Sequence, residues 1–351
     1  QLKIYALNVG QGEANLITYK NLNILIDAGP SSKTANLLDR FIPIYNRKLD
    51  LVFISHPNSD HYNGMFEILK RYQVRTLILN GVEEDSQSFK DLLSLVSQNN
   101  IPIIFDMRGF WADERVDGHL WSLNNPIYRA VYNYFKKKER LWITNSDAVV
   151  VLTNAAKNYL INHFKVSPNN VYVIPCATDI DLFDPAKIKS HNEKQINNLL
   201  YFGTAENWYL FDEMFSFYNV YRKFFSPSKF TLILHSKNSE ILEKIDKYDW
   251  HDEVEIIYNV PRAAMPEYIN LATHVIFFLN NNFTRIATSP TKFGETIAMG
   301  KPVITNKGIG DLDEIENDKC GVVIDKFDVD QFTNACQRLK NKKFDSKMIR
   351  D

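Results

Sequence analysis

Residues 288–305 run TSPTKFGETIAMGKPVIT. They read as a helix start, a helix that ends at a glycine, and a short buried strand. Ser289 suits an N-cap, Pro290 the first helical turn, Gly300 the left-handed exit, and Pro302–Thr305 a parallel strand. A helix that begins this way offers unpaired N–H groups and about half a positive charge to whatever sits before it, and Lys292 adds a full charge. Ser289, Thr291 and Lys292 therefore make a phosphate seat. Glu295 follows one turn later, where a carboxylate is placed to accept hydrogen bonds from sugar or ribose hydroxyls. Around this stretch short apolar strands alternate with helical segments: Leu199–Phe202, Phe230–Leu234, Val254–Tyr258, His274–Phe278 and Gly321–Ile324. That rhythm predicts a parallel sheet covered on both faces, with ligands at the carboxyl ends of its strands. The same edge then carries Gly203, Lys237 and Val260, for close backbone approach, charge and contact with a base.

With Glu295, Gly300, Pro302 and Val303 quoted, the stretch resembles the family-4 type of GT-B glycosyltransferases, which use nucleotide-sugar donors. In that family a second glutamate stands eight residues before the one matched by Glu295; here Ala287 holds its place. The resemblance covers about residues 104–345. Phe105–Arg115 resembles the strand and loop that face the interdomain cleft in the family, which puts Arg108, Trp111, Glu114 and Arg115 on the acceptor side. Cys176–Phe183 resembles the passage into the donor domain, and the polar segment 186–198 reads as a linker.

The front of the chain is of another kind. Leu2–Val9 and Ala14–Tyr19 alternate like paired strands across Gly10-Gln-Gly12, and Asn23–Asp27 makes a third strand. A helix is expected from Lys33 to about Tyr45, then the buried strand Leu51–Ser55. His56-Pro-Asn-Ser-Asp60-His61 follows it, with the ligand types a Zn²⁺-like ion favours, so His56, Asp60 and His61 are the candidate metal ligands. Together with Asn8–Gly12 and Leu25–Gly29, this block is similar to the metallo-β-lactamase-like domain of ComEC-type DNA-uptake proteins. That resemblance runs to Ile103 and implies a fold of two halves, of which this block matches the first. The usual motif has a further ligand where Asn58 stands.

Composition narrows the function classes. The chain has 351 residues, 45% of them hydrophobic, and a formal net charge of -1. That is enough for two cores and gives no bulk attraction to nucleic acid or anionic membrane. Three cysteines, Cys176, Cys320 and Cys336, show neither metal-ligand spacing nor a disulfide framework, which favours a reducing cytoplasm. The chain lacks an initial Met and is expected to be a piece of something longer. The run Lys136–Arg140 beside Tyr132, Tyr134 and Phe135 lies in a helix expected from Ile127 to Asn145, read as a solvated face or as a seat on the inner membrane surface.

The expected fold is α/β: a half metallo-β-lactamase-like block (1–103), the remainder of a GT-B acceptor-side domain (104–190) and a Rossmann-like donor domain (191–351). The expected function is transfer of a sugar from a nucleotide-diphosphate sugar to an unidentified saccharide or lipid-linked acceptor, in cell-surface polysaccharide synthesis. The alternatives are a metal-dependent hydrolase or DNA-uptake domain carrying Zn at the front motif, and an inactive fusion or scaffold. Nucleic acid is a partner only in the DNA-uptake reading. A further expectation is that the strands of residues 51–105 continue one sheet into the Asp147–Leu152 strand.

Overall fold

The structure, a computed structural model, describes residues 1–81, 86–188, 196–205, 208–316 and 319–351. It divides into two compact units. The first comprises Gln1–Ala112, Trp121–Val151 and Ala156–Ile174; the second comprises Asp113–Leu120, Leu152–Ala155 and Pro175–Asp351. The part of the expected 186–198 linker from 189 to 195, His191 and the 190/191 boundary lie outside the described residues.

The first unit is built on an eight-stranded sheet whose spatial order is its chain order: β1 (Leu2–Ala6), β2 (Asn15–Tyr19), β3 (Leu22–Ile26), β4 (Leu51–Ile54), β5 (Leu77–Leu79), β6 (Ile103–Asp106), β7 (Ala148–Val151) and β8 (Val171–Val173). The first three are antiparallel, and the rest run parallel to β3. One sheet therefore runs unbroken from Leu51 to Val151.

The order has a steric consequence. Right-handed crossovers that always step the same way place their helices on the same face of the sheet. The contacts agree. Arg71 of the Met65–Arg71 helix donates to Asn36 of the Lys33–Leu38 helix at 2.7 Å, Tyr62 packs edge-on against Phe89 of the Gln87–Gln98 helix, and Trp142 of the Pro126–Asn145 helix faces Phe105. On that face Leu16, Leu25, Val52, Ile54, Leu77 and Leu79 are buried. On the other face Leu51, Phe53, Ile78 and Ile104 are only half-buried. The strand Leu51–Ser55, expected to be buried, is so on one face only: an apolar run says that a strand is apolar, and the strand order decides which face is covered. The helix expected to reach Tyr45 ends at Leu38, before Pro43, whose ring suits neither a helix interior nor the residue ahead of it.

The second unit carries a six-stranded parallel sheet: β9 (Asn197–Gly203), β10 (Ser228–Leu234), β11 (Val254–Tyr258), β12 (His274–Ile276), β13 (Val303–Asn306) and β14 (Gly321–Ile324). Its order is β11-β10-β9-β12-β13-β14. Here the chain reverses its direction across the sheet between β9 and β12, so helices cover both faces, as expected from the sequence. Leu199, Leu200, Tyr201, Val303 and Ile304 have no exposed surface, which accords with strands enclosed on both sides. On one side lies an aromatic-rich core with Phe215, Tyr218, Trp250 and Phe332; on the other are Phe183, Ile269 and Met299. Each fully buried Leu, Ile or Phe contributes about 1.5–3 kcal/mol relative to exposure.

Candidate functional site

In an open parallel sheet the crevice for a ligand opens beyond the carboxyl ends of the strands where the order reverses. In the second unit that place lies between β9 and β12. Gly203 ends β9 with φ of +140°, a conformation that side-chain-bearing residues rarely adopt. A Cβ there would lie 2.7 Å from Lys292 Nζ, so a glycine is what lets the lysine reach this point.

Lys292 lies in the first turn of the Thr291–Ala298 helix. Pro290, not Ser289, is the N-cap, and no side chain caps the helix. Ser289 Oγ is turned elsewhere, accepting a hydrogen bond from Cys176 N at 3.2 Å. The chain at Thr178 presses so close on the helix that a Cβ on Gly294 would sit 2.2 Å from Thr178 Oγ1. Gly300 makes the left-handed exit at φ +66° and leads into β13.

The Lys292 side chain is enclosed, only 7% exposed, and its Nζ has no hydrogen-bond partner among the described residues. It faces rings instead, 3.9 Å from the centroid of Tyr209 and 4.4 Å from that of Tyr201, with Phe202 and Phe277 further out. Burial pushes its pKa down to about 7, opposed by Glu295. The π faces also favour the charged form. A buried cation without hydrogen bonds is costly unless it serves a ligand, and a diphosphate at the switch point would supply both charge and acceptors.

Glu295, also 7% exposed, accepts from Arg262 at 2.7 Å. Burial raises its carboxyl pKa, with Arg262 and Lys292 opposing. A cavity of about 210 Å³ beside Gly203 is lined by Phe202, Thr204, His235, Asn259 and Val260 among others. It brings the expected Gly203 and Val260 together. Thr291 opens the helix, exposed. Lys237 is exposed on the loop after β10 and does not line that cavity.

The acceptor-side candidates are divided. Arg108 and Trp111 belong to the first unit, Glu114 and Arg115 to the second. Arg108 Nε donates to Asp106 at 2.9 Å, and Trp111 stands edge-on to Trp121 and Phe135. Burial raises the Glu114 carboxyl, with Arg285 and then Arg115 opposing. Arg285, absent from the sequence reading, is a buried guanidinium 4.3 Å from the Trp208 ring, and its Nε has no hydrogen-bond partner among the described residues. Next to it Thr284 donates from its N–H and its hydroxyl to Asp117. Arg262, Tyr201 and Tyr209 are likewise residues that the sequence reading passed over.

At the front motif of the first unit, the buried Asp27 accepts from Ser55 N and Ser55 Oγ, and His61 Nδ1 lies 2.9 Å from the same carboxylate. His56 Nδ1 is 2.9 Å from Ser55 Oγ, and His61 Nε2 is 4.0 Å from Asp60. Among the described residues no group of three or more His, Cys, Asp or Glu side chains is placed to hold a metal ion. His56, Asp60 and His61 are thus not gathered into a metal-ligand set.

Comparison with known proteins bears on both units. Residues 7–92 match the family model described as Metallo-beta-lactamase superfamily, residues 86–182 that of Glycosyltransferase Family 4, and residues 199–342 that of Glycosyl transferases group 1. No curated protein matches. Among solved structures, WaaG, a glycosyltransferase involved in lipopolysaccharide biosynthesis, aligns with a TM-score of 0.52 at 15% identity, over 78% of this chain and 79% of its own. The apo form of the lipopolysaccharide outer core galactosyltransferase WaaB aligns with a TM-score of 0.52 at 14% identity, over 79% and 69%. At such identities the likeness is one of fold. No helix among the described residues is long and apolar enough to cross a membrane. The chain is thus similar to the metallo-β-lactamase superfamily at its front and to glycosyltransferases beyond it, with the α/β fold of the GT-B type.

Proposed function

We propose that the protein transfers a sugar from a nucleoside-diphosphate sugar to a saccharide acceptor, in the synthesis of a cell-surface polysaccharide. The observation that carries this reading is the enclosed Lys292 ammonium, without a hydrogen-bond partner among the described residues, at the point where the second sheet reverses its order. In glycosyl transfer from such donors the bond between the anomeric carbon and the β-phosphate oxygen breaks, and the departing diphosphate takes the electron pair. Groups that hold that developing charge lower the barrier. Lys292 and the helix start at Thr291 take that role, Gly203 lets the chain approach, and Glu295, held by Arg262, orients the donor. The base lies in the cavity beside Val260. Lys237, on the exposed loop after β10, adds positive charge at the same sheet edge, and Ser289 fixes the entry to the helix.

Arg108, Trp111, Glu114 and Arg115 are the acceptor-side candidates. The Pro126–Asn145 helix leaves Ile127, Tyr128, Tyr134 and Leu141 exposed around Lys136–Lys138, which suits a peripheral seat on the cytoplasmic face of a membrane carrying a lipid-linked acceptor. The test is turnover. Incubated with UDP-glucose, UDP-N-acetylglucosamine or GDP-mannose and a panel of saccharides, the protein should release nucleoside diphosphate from one donor, and Lys292→Ala should release at least 100-fold less. Equal release by the variant would refute this assignment of the site.

A further inference from the structure

Among the described residues of the first unit, right-handed crossovers that never reverse put the helices on one face of the eight-stranded sheet and leave the other, largely apolar face without one. Register aligns it in rows. Ile4 stands opposite Ile17, Ile17 opposite Ile24, and Ile24 beside Leu51. A second row runs from Ile26 through Phe53, Ile78 and Ile104 to Ala148. At the far end Val150 stands beside Tyr172. None of these side chains is buried; Ile4 is 65% exposed and Tyr172 54%. On the helix-covered face Leu16, Leu25, Val52, Leu77, Phe105 and Val149 are buried by contrast.

From these observations we infer that the uncovered face is the interface of a homodimer, in which a second copy of this chain lays the same face against it. Three physical points select that occupant. A broad pleated apolar face is complemented by another such face stacked about 10 Å away. A patch that pairs with its own copy closes on itself and forms no fibre. The face carries almost no charge to oppose this: among its described strand residues Asp106 is the one side chain charged at neutral pH, and Arg108 pairs with it at 2.9 Å within the same copy.

The area is sufficient. Leu2, Tyr19, Leu22 and Ile174, 44–58% exposed, extend the same face at its two ends; with aromatic side chains offering about 150–250 Å² each and aliphatic ones somewhat less, these and the rows above amount to on the order of 1,000 Å² per copy. Two copies would bury ~2,000 Å², within the range of stable homodimers. Left bare, a contiguous apolar surface of that size far exceeds what monomeric proteins expose.

Sedimentation velocity of the full chain from about 1 to 100 µM tests this. The expected species is a dimer, twice the 40.8 kDa of the chain. In Ile4→Lys/Tyr172→Lys the dissociation constant should rise at least 100-fold, with an unchanged far-ultraviolet spectrum, because both sites are open in the single chain. Each single variant should weaken the dimer at least tenfold, which decides the matter if the double variant does not fold. Ile127→Lys, exposed on a helix away from this face, should leave it unchanged. A wild type that stays at 40.8 kDa up to 100 µM overturns the inference. So does a dimer indifferent to both face variants. If another protein or a further segment of the polypeptide covers the face, the isolated chain reads as the monomer.

Discussion

Raising the pH should weaken nucleoside-diphosphate binding through Lys292 alone. The enclosed ammonium has its pKa pushed down to about 7, so it is half protonated at pH 7. At pH 8.5 only about 3% remains charged, following the ordinary titration curve. A bound diphosphate would raise the lysine pKa again, so binding takes up a proton, and the lost fraction appears directly in the affinity. From pH 7 to 8.5 the loss is about 16-fold, or roughly 1.7 kcal/mol. Phosphate groups with a last pKa near 6 are already about nine-tenths ionised at pH 7 and more so above it, so the ligand adds little. Titration calorimetry of UDP at pH 7, 7.75 and 8.5, in buffers of different ionisation enthalpy, reads both quantities. The expected proton uptake is about 0.5 at pH 7 and close to 1 at pH 8.5. Lys292→Met should bind weakly and show no slope. A flat affinity with no proton uptake in the wild type would refute the reasoning.

Three further outcomes follow from the same groups. Because the folded pKa of Lys292 lies below its unfolded value, the unfolded chain binds the extra proton between about pH 7 and 10.5, and stability from this group rises with pH across that window. Lys292→Met should therefore stabilise the protein at pH 7 by about 1–4 kcal/mol in urea unfolding while it weakens nucleotide binding; a destabilised variant would count against an uncompensated buried charge. His274, buried beside Tyr221 and near Lys301, has its pKa lowered to about 3, so it stays neutral in the fold while the unfolded chain takes up a proton below 6.5. Acidification from pH 7 to 5 should cost about 2 kcal/mol in the wild type that His274→Gln does not lose, and equal losses would contradict this. Gly203→Ala, strained by its φ and crowded by Lys292 Nζ, should lower stability by about 1–3 kcal/mol and weaken UDP at least tenfold; an unchanged melting temperature and affinity would contradict the close approach.

What the sequence made legible was local. Thr291–Ala298, its left-handed exit at Gly300 and the strand after it follow from a proline, a glycine and an apolar run within a few residues of one another. The second sheet was legible for the same reason: each strand is a short apolar run punctuated by turns. Lys292 and Glu295 could be picked out, but not their surroundings. The rings of Tyr201 and Tyr209 and the guanidinium of Arg262 come from distant parts of the chain, and no periodicity joins them to the helix. The bare sheet face was hidden for another reason. Leu51, Phe53 and Ile78 look like core residues in sequence, and only the unreversed strand order leaves their side without a helix among the described residues.

The most direct test is calorimetric titration of UDP and GDP into the wild type and into Lys292→Ala, at pH 7 with a metal chelator present. One of the two nucleotides should bind at a single site with a micromolar dissociation constant, and the variant should lose at least tenfold. Absence of binding to both, or equal binding by the variant, would contradict a donor site at the β9–β12 switch point.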